Sequence, residues 1–301
     1  MGVRSLVNDG AACAIPVVAV HGVGNGFGAD VSGDGKEELR AVRAAAWARH
    51  LADGLGIASE RIDLDFAYYA DKLLPGIVEQ GTGSLDSLDD PLEREMLTAW
   101  SMYLGVPADV AQGHLTVPLR QISAWVAARF DLAEGPLRVF IQLLFREVAA
   151  YLRAHDSPHR FAAREEVAAR IACHRPKIVI AHSLGSVVAY EALHAHPELR
   201  PELFLTLGSP LALPRAVFHR LRPTPRGTAP QLYGQRPPGV ARWVNIADPG
   251  DPVAVPPGLS RHFEGITLDH TAAIAPFDFH QCKNYLRSAA TAATIGPYLS
   301  L

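Results

Sequence analysis

Cysteine is scarce in this 301-residue chain: Cys13, Cys173 and Cys282 are scattered, odd in number, and include no C-x-x-C pair. That excludes a disulfide-stapled scaffold and fits a reducing compartment. An excess of charge of one sign is also missing. The formal net charge is -3 and no basic stripe is visible, so no global field recruits nucleic acid or an anionic membrane. No window reaches about 18 uninterrupted apolar residues, so no integral membrane segment is predicted. The N-terminus, MGVRSLVNDGAACAIPVVAVHG, starts weakly positive, but Asn8 and Asp9 interrupt any apolar core of a leader. No signal peptide is read there, and a cytoplasmic location is the expectation. His174 and His182 flank a strand with Cys173 adjacent, yet their spacing is not that of a zinc site. No metal and no cofactor are expected, and there is no internal repeat.

What is present is an alternation of short apolar runs with amphipathic stretches. IPVVAV, Ile15 to Val20, is a continuous β-branched run ending in glycine-rich sequence, which reads as a buried parallel strand. Residues 36–54 read as a helix with Leu39, Val42, Ala46 and Leu51 on one side. A second strand is expected within 61–71. After residue 165 the pattern becomes regular: a helix at 163–173, a strand at 177–182, a helix at 185–196, strands at 203–208 and 241–247, and a terminal helix at 280–291. Strands alternating with helices imply a mostly parallel sheet with right-handed crossovers. At this length the chain fits one α/β domain spanning 1–301. The interval 72–165 interrupts the alternation. VPLRQISAWVAARF (117–130) and PLRVFIQLLFREVAAYLRAH (136–155) carry more apolar bulk than a two-faced helix needs. They predict a helical insertion, either a lid or core helices covering a sheet face. The Pro-rich stretch 222–239 reads as loop or partly disordered.

The most informative stretch is PKIVIAHSLGSVVAYEALHAH. A strand begins after Pro176, Ser183 stands at the corner, and a helix starts within two residues. A strand-to-helix turn this sharp strains the apical backbone and demands small residues two positions to either side, here Ala181 and Gly185. It projects the hydroxyl above the carboxyl edge of the sheet and leaves the Leu184 N–H at a helix N-terminus, able to donate to an anion. The competing reading is an ordinary βα turn with Ser183 as helix N-cap.

Ala181-His182-Ser183-Leu184-Gly185 resembles the nucleophile elbow of the α/β-hydrolase superfamily, in its lipase-like and serine-esterase-like branches. The usual pattern has glycine where Ala181 stands, a departure that keeps the position small. The resemblance implies an α/β-hydrolase fold, Ser183 as nucleophile, and the chain order oxyanion loop, serine, acid, histidine. His21-Gly22-Val23-Gly24 resembles the HG-x-G oxyanion loop, so Val23 and Leu184 would form the oxyanion hole. Asp251, followed by Pro-Val-Ala, resembles the D-x-V segment that carries the acid. Asp248, at the end of the preceding strand, is the alternative, and turn formation by Asp-Pro pairs competes with both. His280, opening an amphipathic helix with the pair Tyr285-Leu286, resembles the closing histidine segment. His270 is the runner-up, and His262 is a further loop histidine.

The activity so implied is hydrolysis of a carboxylic ester through a Ser183-His280-Asp251 triad and an acyl-enzyme, on a small-molecule or lipid-like acyl substrate with hydrophobic character. A thioesterase or acyltransferase would use the same triad, and a non-catalytic ligand- or partner-binding protein of the same fold is the competitor from another class. A dinucleotide loop at Gly24-x-Gly26-x-x-Ala29 needs a helix opening at its third position, but DVSGDGKE intervenes. DLDFAYYAD reads as a strand with a polar end, with Tyr68 or Tyr69 facing the pocket as the alternative; Ser209 is expected to be structural, and Arg215, Arg220, Arg222 and Arg226 to form a solvated loop.

Overall fold

Alternation along Ile15–Val20 (β1) sets the architecture. Val17 and Ala19 point to one face of a sheet, Val18 and Val20 to the other, and all four are buried. A strand apolar on both faces needs cover on both, which is the condition of a parallel sheet between helical layers. The computed structural model, which describes residues 14–24, 33–73, 88, 90–107, 119–154, 156–274 and 280–299, has that arrangement.

The main sheet holds β1, Ile62–Ala67 (β2), Ile178–His182 (β3), Leu203–Leu207 (β4), Arg242–Ala247 (β7) and Leu268–Thr271 (β9), in the order β2-β1-β3-β4-β7-β9. Every neighbouring pair is parallel. The chain passes outward from β1 to the edge strand β2, then returns to lay β3 on the other side of β1. Strand order therefore reverses between β1 and β3, and the carboxyl ends of the strands at such a switch point are where open α/β sheets hold their ligands. The predicted strands are present. The edge strand β9, polar and mostly exposed, had no apolar run to announce it.

Helix α1 (Gly33–Leu55) and the C-terminal helices α8 (Cys282–Arg287) and α9 (Ala289–Ile295) cover one face. Trp47, Leu51, Leu286 and Ile295 join Val17, Ile180 and Val244 in its core. One helix was expected over 280–291. The structure divides it at Ser288, whose backbone is extended and whose hydroxyl accepts from the Thr291 N–H and donates to the Tyr285 carbonyl. A serine that can satisfy backbone groups locally competes with helix continuation.

The opposite face is covered by the short α2 (Ala70–Leu73), α3 (Pro91–Tyr103), α4 (Leu119–Phe130), α5 (Glu134–Leu152), α6 (Pro158–His174) and α7 (Leu184–Ala195). Trp100, Ile122, Phe145, Ile171 and Val188 share one core with Val18, Val179, Phe204 and Trp243. The described helices within 72–165 thus bury side chains against the sheet's own core, while Val139 and Leu143 of α5 stay exposed.

The Pro-rich 222–239 segment differs from its expected loop. Arg226–Thr228 (β5) and Gln231–Gln235 (β6) form an antiparallel pair, and β6 also pairs in parallel with Phe263–Glu264 (β8). Two glycines allow this. A Cβ on Gly227, at φ +122, would stand 2.2 Å from the Gln231 carbonyl oxygen. One on Gly234 would stand 2.3 Å from the Phe263 ring. Glycine here permits pairing and close packing where proline-rich composition suggested neither.

Candidate active site

Ser183 lies at the carboxyl end of β3, beside β1, in the turn that joins β3 to α7. Its backbone has φ 55 and ψ -133, a region L-residues seldom occupy, at a cost of roughly 1–3 kcal/mol. The surroundings hold it there. Its N–H donates to the Leu207 carbonyl, and its own carbonyl accepts from Ser186 Oγ at 2.6 Å. Ser186 Oγ is also hydrogen-bonded to Ser209 Oγ, which accepts from the Leu211 N–H. Ser209 therefore braces the corner from the next strand. The predicted need for a small residue at 185 has a direct cause: a Cβ on Gly185 would stand 2.2 Å from the His21 carbonyl oxygen and 2.6 Å from that of Val20. Ala181, the departure from the usual glycine, is fully buried within β3.

The loop after β1 presses on this corner. A Cβ on Gly22 would lie 2.6 Å from the Ser183 Cβ, so the Gly22 backbone runs against the serine. His21 fixes the loop from behind. Its Nδ1–H donates to the Gly22 carbonyl at 2.7 Å, its Nε2 accepts from the Tyr69 N–H at 3.2 Å, and Tyr69 Oη donates to the His21 carbonyl at 2.9 Å. The His21 and Tyr69 rings stack at 4.3 Å. Both nitrogens are served by one neutral tautomer, and burial lowers the His21 pKa to about 4. Of the two tyrosines considered for the pocket, Tyr69 is the one that holds the loop. Val23 is half-buried against the helical core. Leu184 is the first residue of α7, so its N–H has no partner within the helix.

His280 and Asp251 meet directly. His280 Nδ1 lies 2.7 Å from Asp251 Oδ2, and both side chains are almost wholly buried. Asp251 Oδ2 also accepts from Tyr285 Oη at 2.8 Å, and Oδ1 from the Val253 N–H at 2.9 Å. An ionised carboxylate only accepts, so His280 Nδ1 carries the proton and Nε2 presents its lone pair. His280 itself has φ 55, a second strained non-glycine residue at the site. Of the two candidate aspartates, Asp251 is the one in contact with His280. Asp248 accepts from two backbone amides, Oδ1 from Gly250 N–H in its own loop and Oδ2 from Ile274 N–H beyond β9. His270 is exposed on the edge strand β9, and His262 stands edge-on to Phe218 at 5.5 Å.

Between the serine and the histidine no hydrogen bond is made. Ser183 Oγ and His280 Nε2 are each buried and unpartnered among the described residues. They are linked through His182, whose ring centroid lies 4.6 Å from that of His280. His182 Nε2 is likewise unpartnered, and burial, with the charges of His280 and His21, holds its pKa well below the ordinary histidine value. Phe140 of α5 closes the other side of His280 at 5.3 Å.

Three contributors were not singled out in the sequence. Tyr285 was read only as part of an aromatic-Leu pair, yet its hydroxyl donates to Asp251 while accepting from the Asp248 N–H at 3.1 Å. Trp100 Nε1 donates to the Pro252 carbonyl at 2.7 Å, tying α3 to the Asp251 loop. Glu147 accepts from the Gly24 N–H at 2.9 Å. The signal for Glu147 was available: it falls between Leu144 and Tyr151 on the apolar stripe of α5, where a carboxyl has to be explained.

Fold and site together define an α/β protein with a parallel sheet, a strained serine at the switch point and a buried His–Asp pair beside it. No family model, curated protein or solved structure matches the chain. Among the described residues no group of three His, Cys, Asp or Glu is placed to hold a metal ion, and no helix is long and apolar enough to cross a membrane.

Proposed function

We propose that this protein is a serine hydrolase of the α/β-hydrolase type, cleaving a carboxylic ester through Ser183, His280 and Asp251. The observation that carries the reading is the unpartnered, buried Ser183 hydroxyl, strained at a strand–helix corner whose neighbour His182 packs on His280, a histidine whose far nitrogen is held by a buried carboxylate. Backbone strain and two unmatched buried polar atoms are costs that a purely structural turn has no reason to bear.

In the proposed reaction a substrate carbonyl approaches Ser183 Oγ from the side away from Gly22, whose backbone already lies against the serine. Ser183 Oγ attacks the carbonyl carbon as His280 Nε2 takes its proton, which requires the serine and imidazole to close to hydrogen-bond distance as substrate binds. The imidazolium is stabilised by Asp251, which Tyr285 and the Val253 amide hold in place. The oxyanion develops beside the N-terminus of α7, where the N–H groups of Leu184 and Val23 are the proposed donors. Collapse expels the alcohol, which receives the proton from His280. Water then repeats the sequence on the acyl-enzyme and releases the acid. The acyl portion is proposed to be hydrophobic, since Phe140 and the apolar face of α5 border the site on the His280 side.

The test is covalent labelling by a fluorophosphonate, with turnover of p-nitrophenyl esters, in wild type and Ser183→Ala. One adduct on Ser183 and at least a 1,000-fold loss of turnover in the variant are expected. Unchanged turnover in Ser183→Ala, or a folded wild-type protein inert to probe and esters alike, refutes the reading.

A further inference from the structure

Glu147 is the buried charged group that the proposed chemistry leaves unused. It projects from the apolar face of α5, and burial pushes its pKa up to about 7. Its Oε2 is buried and unpartnered, and no cation pairs with the carboxyl among the described residues. Its one described hydrogen bond accepts the Gly24 N–H. A buried carboxyl without a counter-charge is costly, so an apolar residue would serve α5 packing better.

The place of that bond explains the cost. The loop after β1 is held at its start by His21, locked between the Tyr69 amide and hydroxyl. At Gly24, φ is +74 and a Cβ would meet nothing within 4 Å. Among the described residues no packing secures that end on the Cβ side, and the Glu147 bond is its tether. Between the two pins run Gly22 and Val23, with Gly22 directly against Ser183. Glu147 and Phe140 are seven residues apart, about two helical turns, and so share a face of α5. Phe140 lies at His280 and Glu147 at Gly24, so one rigid helix touches both ends of the site.

We propose that Glu147 is a positioning residue for acyl transfer at Ser183: from α5 its carboxyl holds the Gly24 amide, and through it the Gly22–Gly24 backbone that lies against the nucleophile. This rests on the serine-hydrolase reading. Oε1 accepts from Gly24 whether or not Oε2 carries a proton, so the required property is an acceptor at that distance and not a charge. Tyr69, the titratable neighbour on which the Glu147 charge bears, is itself kept protonated by burial.

The experiment compares Glu147→Leu, Glu147→Asp and Glu147→Gln with wild type, measuring kcat and KM on a p-nitrophenyl ester and the rate of fluorophosphonate labelling. Leucine removes the acceptor, and aspartate keeps the charge but withdraws it by one methylene. Both are expected to lower kcat and the labelling rate by about 10- to 100-fold with KM changed by less than about 3-fold. Glutamine, which keeps an acceptor oxygen in place, is expected to recover most of that loss. Should the leucine variant fail to fold, aspartate against glutamine carries the same comparison. Wild-type kcat in the leucine or aspartate variant, or a glutamine variant as impaired as aspartate, overturns the assignment while leaving the hydrolase reading intact. A wild-type protein inert to ester and probe removes both.

Discussion

The Tyr285 hydroxyl stands between the two aspartates that compete for the acid's role: it accepts from the Asp248 N–H at 3.1 Å and donates to Asp251 Oδ2 at 2.8 Å. Burial first, then the Asp251 charge, raises its pKa far above the ordinary tyrosine value, so it remains a donor. A helix from one end of the chain thereby fixes the orientation of a carboxylate carried on a distant loop.

Tyr285→Phe removes that donor and leaves the buried Asp248 amide without its acceptor. A stability loss of about 1–3 kcal/mol is expected from urea unfolding, with an approximately 3- to 30-fold fall in kcat on p-nitrophenyl esters. A phenylalanine variant equal to wild type in both measurements would show that Asp251 is oriented without Tyr285.

Gly185→Ala places a Cβ 2.2 Å from the His21 carbonyl oxygen and 2.6 Å from that of Val20. Both are backbone atoms at the end of the central strand β1, so neither can swing aside. The expected cost is about 2–4 kcal/mol, together with slower labelling of Ser183 as the corner shifts. Urea denaturation and the fluorophosphonate rate read the two effects separately, and a neutral substitution would mean that the corner is looser than its contacts imply.

The Arg160–Glu191 ion pair ties three helices and a connection together. Arg160 Nε and Nη2 both donate to the Glu191 carboxylate, Tyr151 Oη and the Arg222 N–H also donate to it, and Arg160 Nη2 reaches the Arg220 carbonyl. Both side chains are nearly inaccessible. Arg220 and Arg222 therefore meet this network through their backbones, a role that their reading as solvated loop residues did not include. Arg160→Met alone strands the Glu191 charge and is expected to destabilise by about 3–5 kcal/mol, and Arg160→Met with Glu191→Leu by markedly less. Equal losses in the single and double variants would contradict a desolvated pair.

Stability against pH is expected to carry two opposed contributions. His21, about 4 in the fold against 6.5 unfolded, binds its proton more readily in the unfolded chain, so its part is lost as pH falls from 6.5 towards 4. Glu147, about 7 in the fold against 4.5 unfolded, binds its proton more readily in the fold, so its part is lost as pH rises from 4.5 through 7. Between about 4.5 and 6.5 the two slopes offset each other. His182, also lowered, adds to the acid-side loss. Glu147→Gln removes the opposing slope. Its stability is expected to exceed that of wild type by about 2–3 kcal/mol above pH 7, with the gap closing towards pH 4.5. Urea curves at pH 5, 6.5 and 8 measure this, and a gap independent of pH would show that Glu147 does not titrate in that range.

Much of the framework was legible in local sequence. The β-branched runs at 15–20 and 177–182 read as buried parallel strands, and the small residues around Ser183 pointed to a tight corner. Other features were hidden for identifiable reasons. Strand β9 is polar because it forms the sheet edge, and the 226–235 hairpin relies on Gly227 at its turn and on Gly234, whose partner Phe263 is remote in sequence. Asp248 and Asp251 share one loop and one local chemistry, and nothing near them in the chain shows that the Ile274 amide claims the first while His280 claims the second.

The sequence by itself determined a parallel α/β sheet and a strained serine between strand and helix, because backbone sterics and apolar periodicity act over a few residues at a time. Tertiary structure alone decided which carboxylate faces His280, that Tyr285 steadies it, and that Glu147 holds the Gly24 amide. Those choices depend on unsatisfied hydrogen-bonding groups brought together across 29, 34 and 123 residues of chain, and in a buried site each such group takes whichever partner the packing puts within reach.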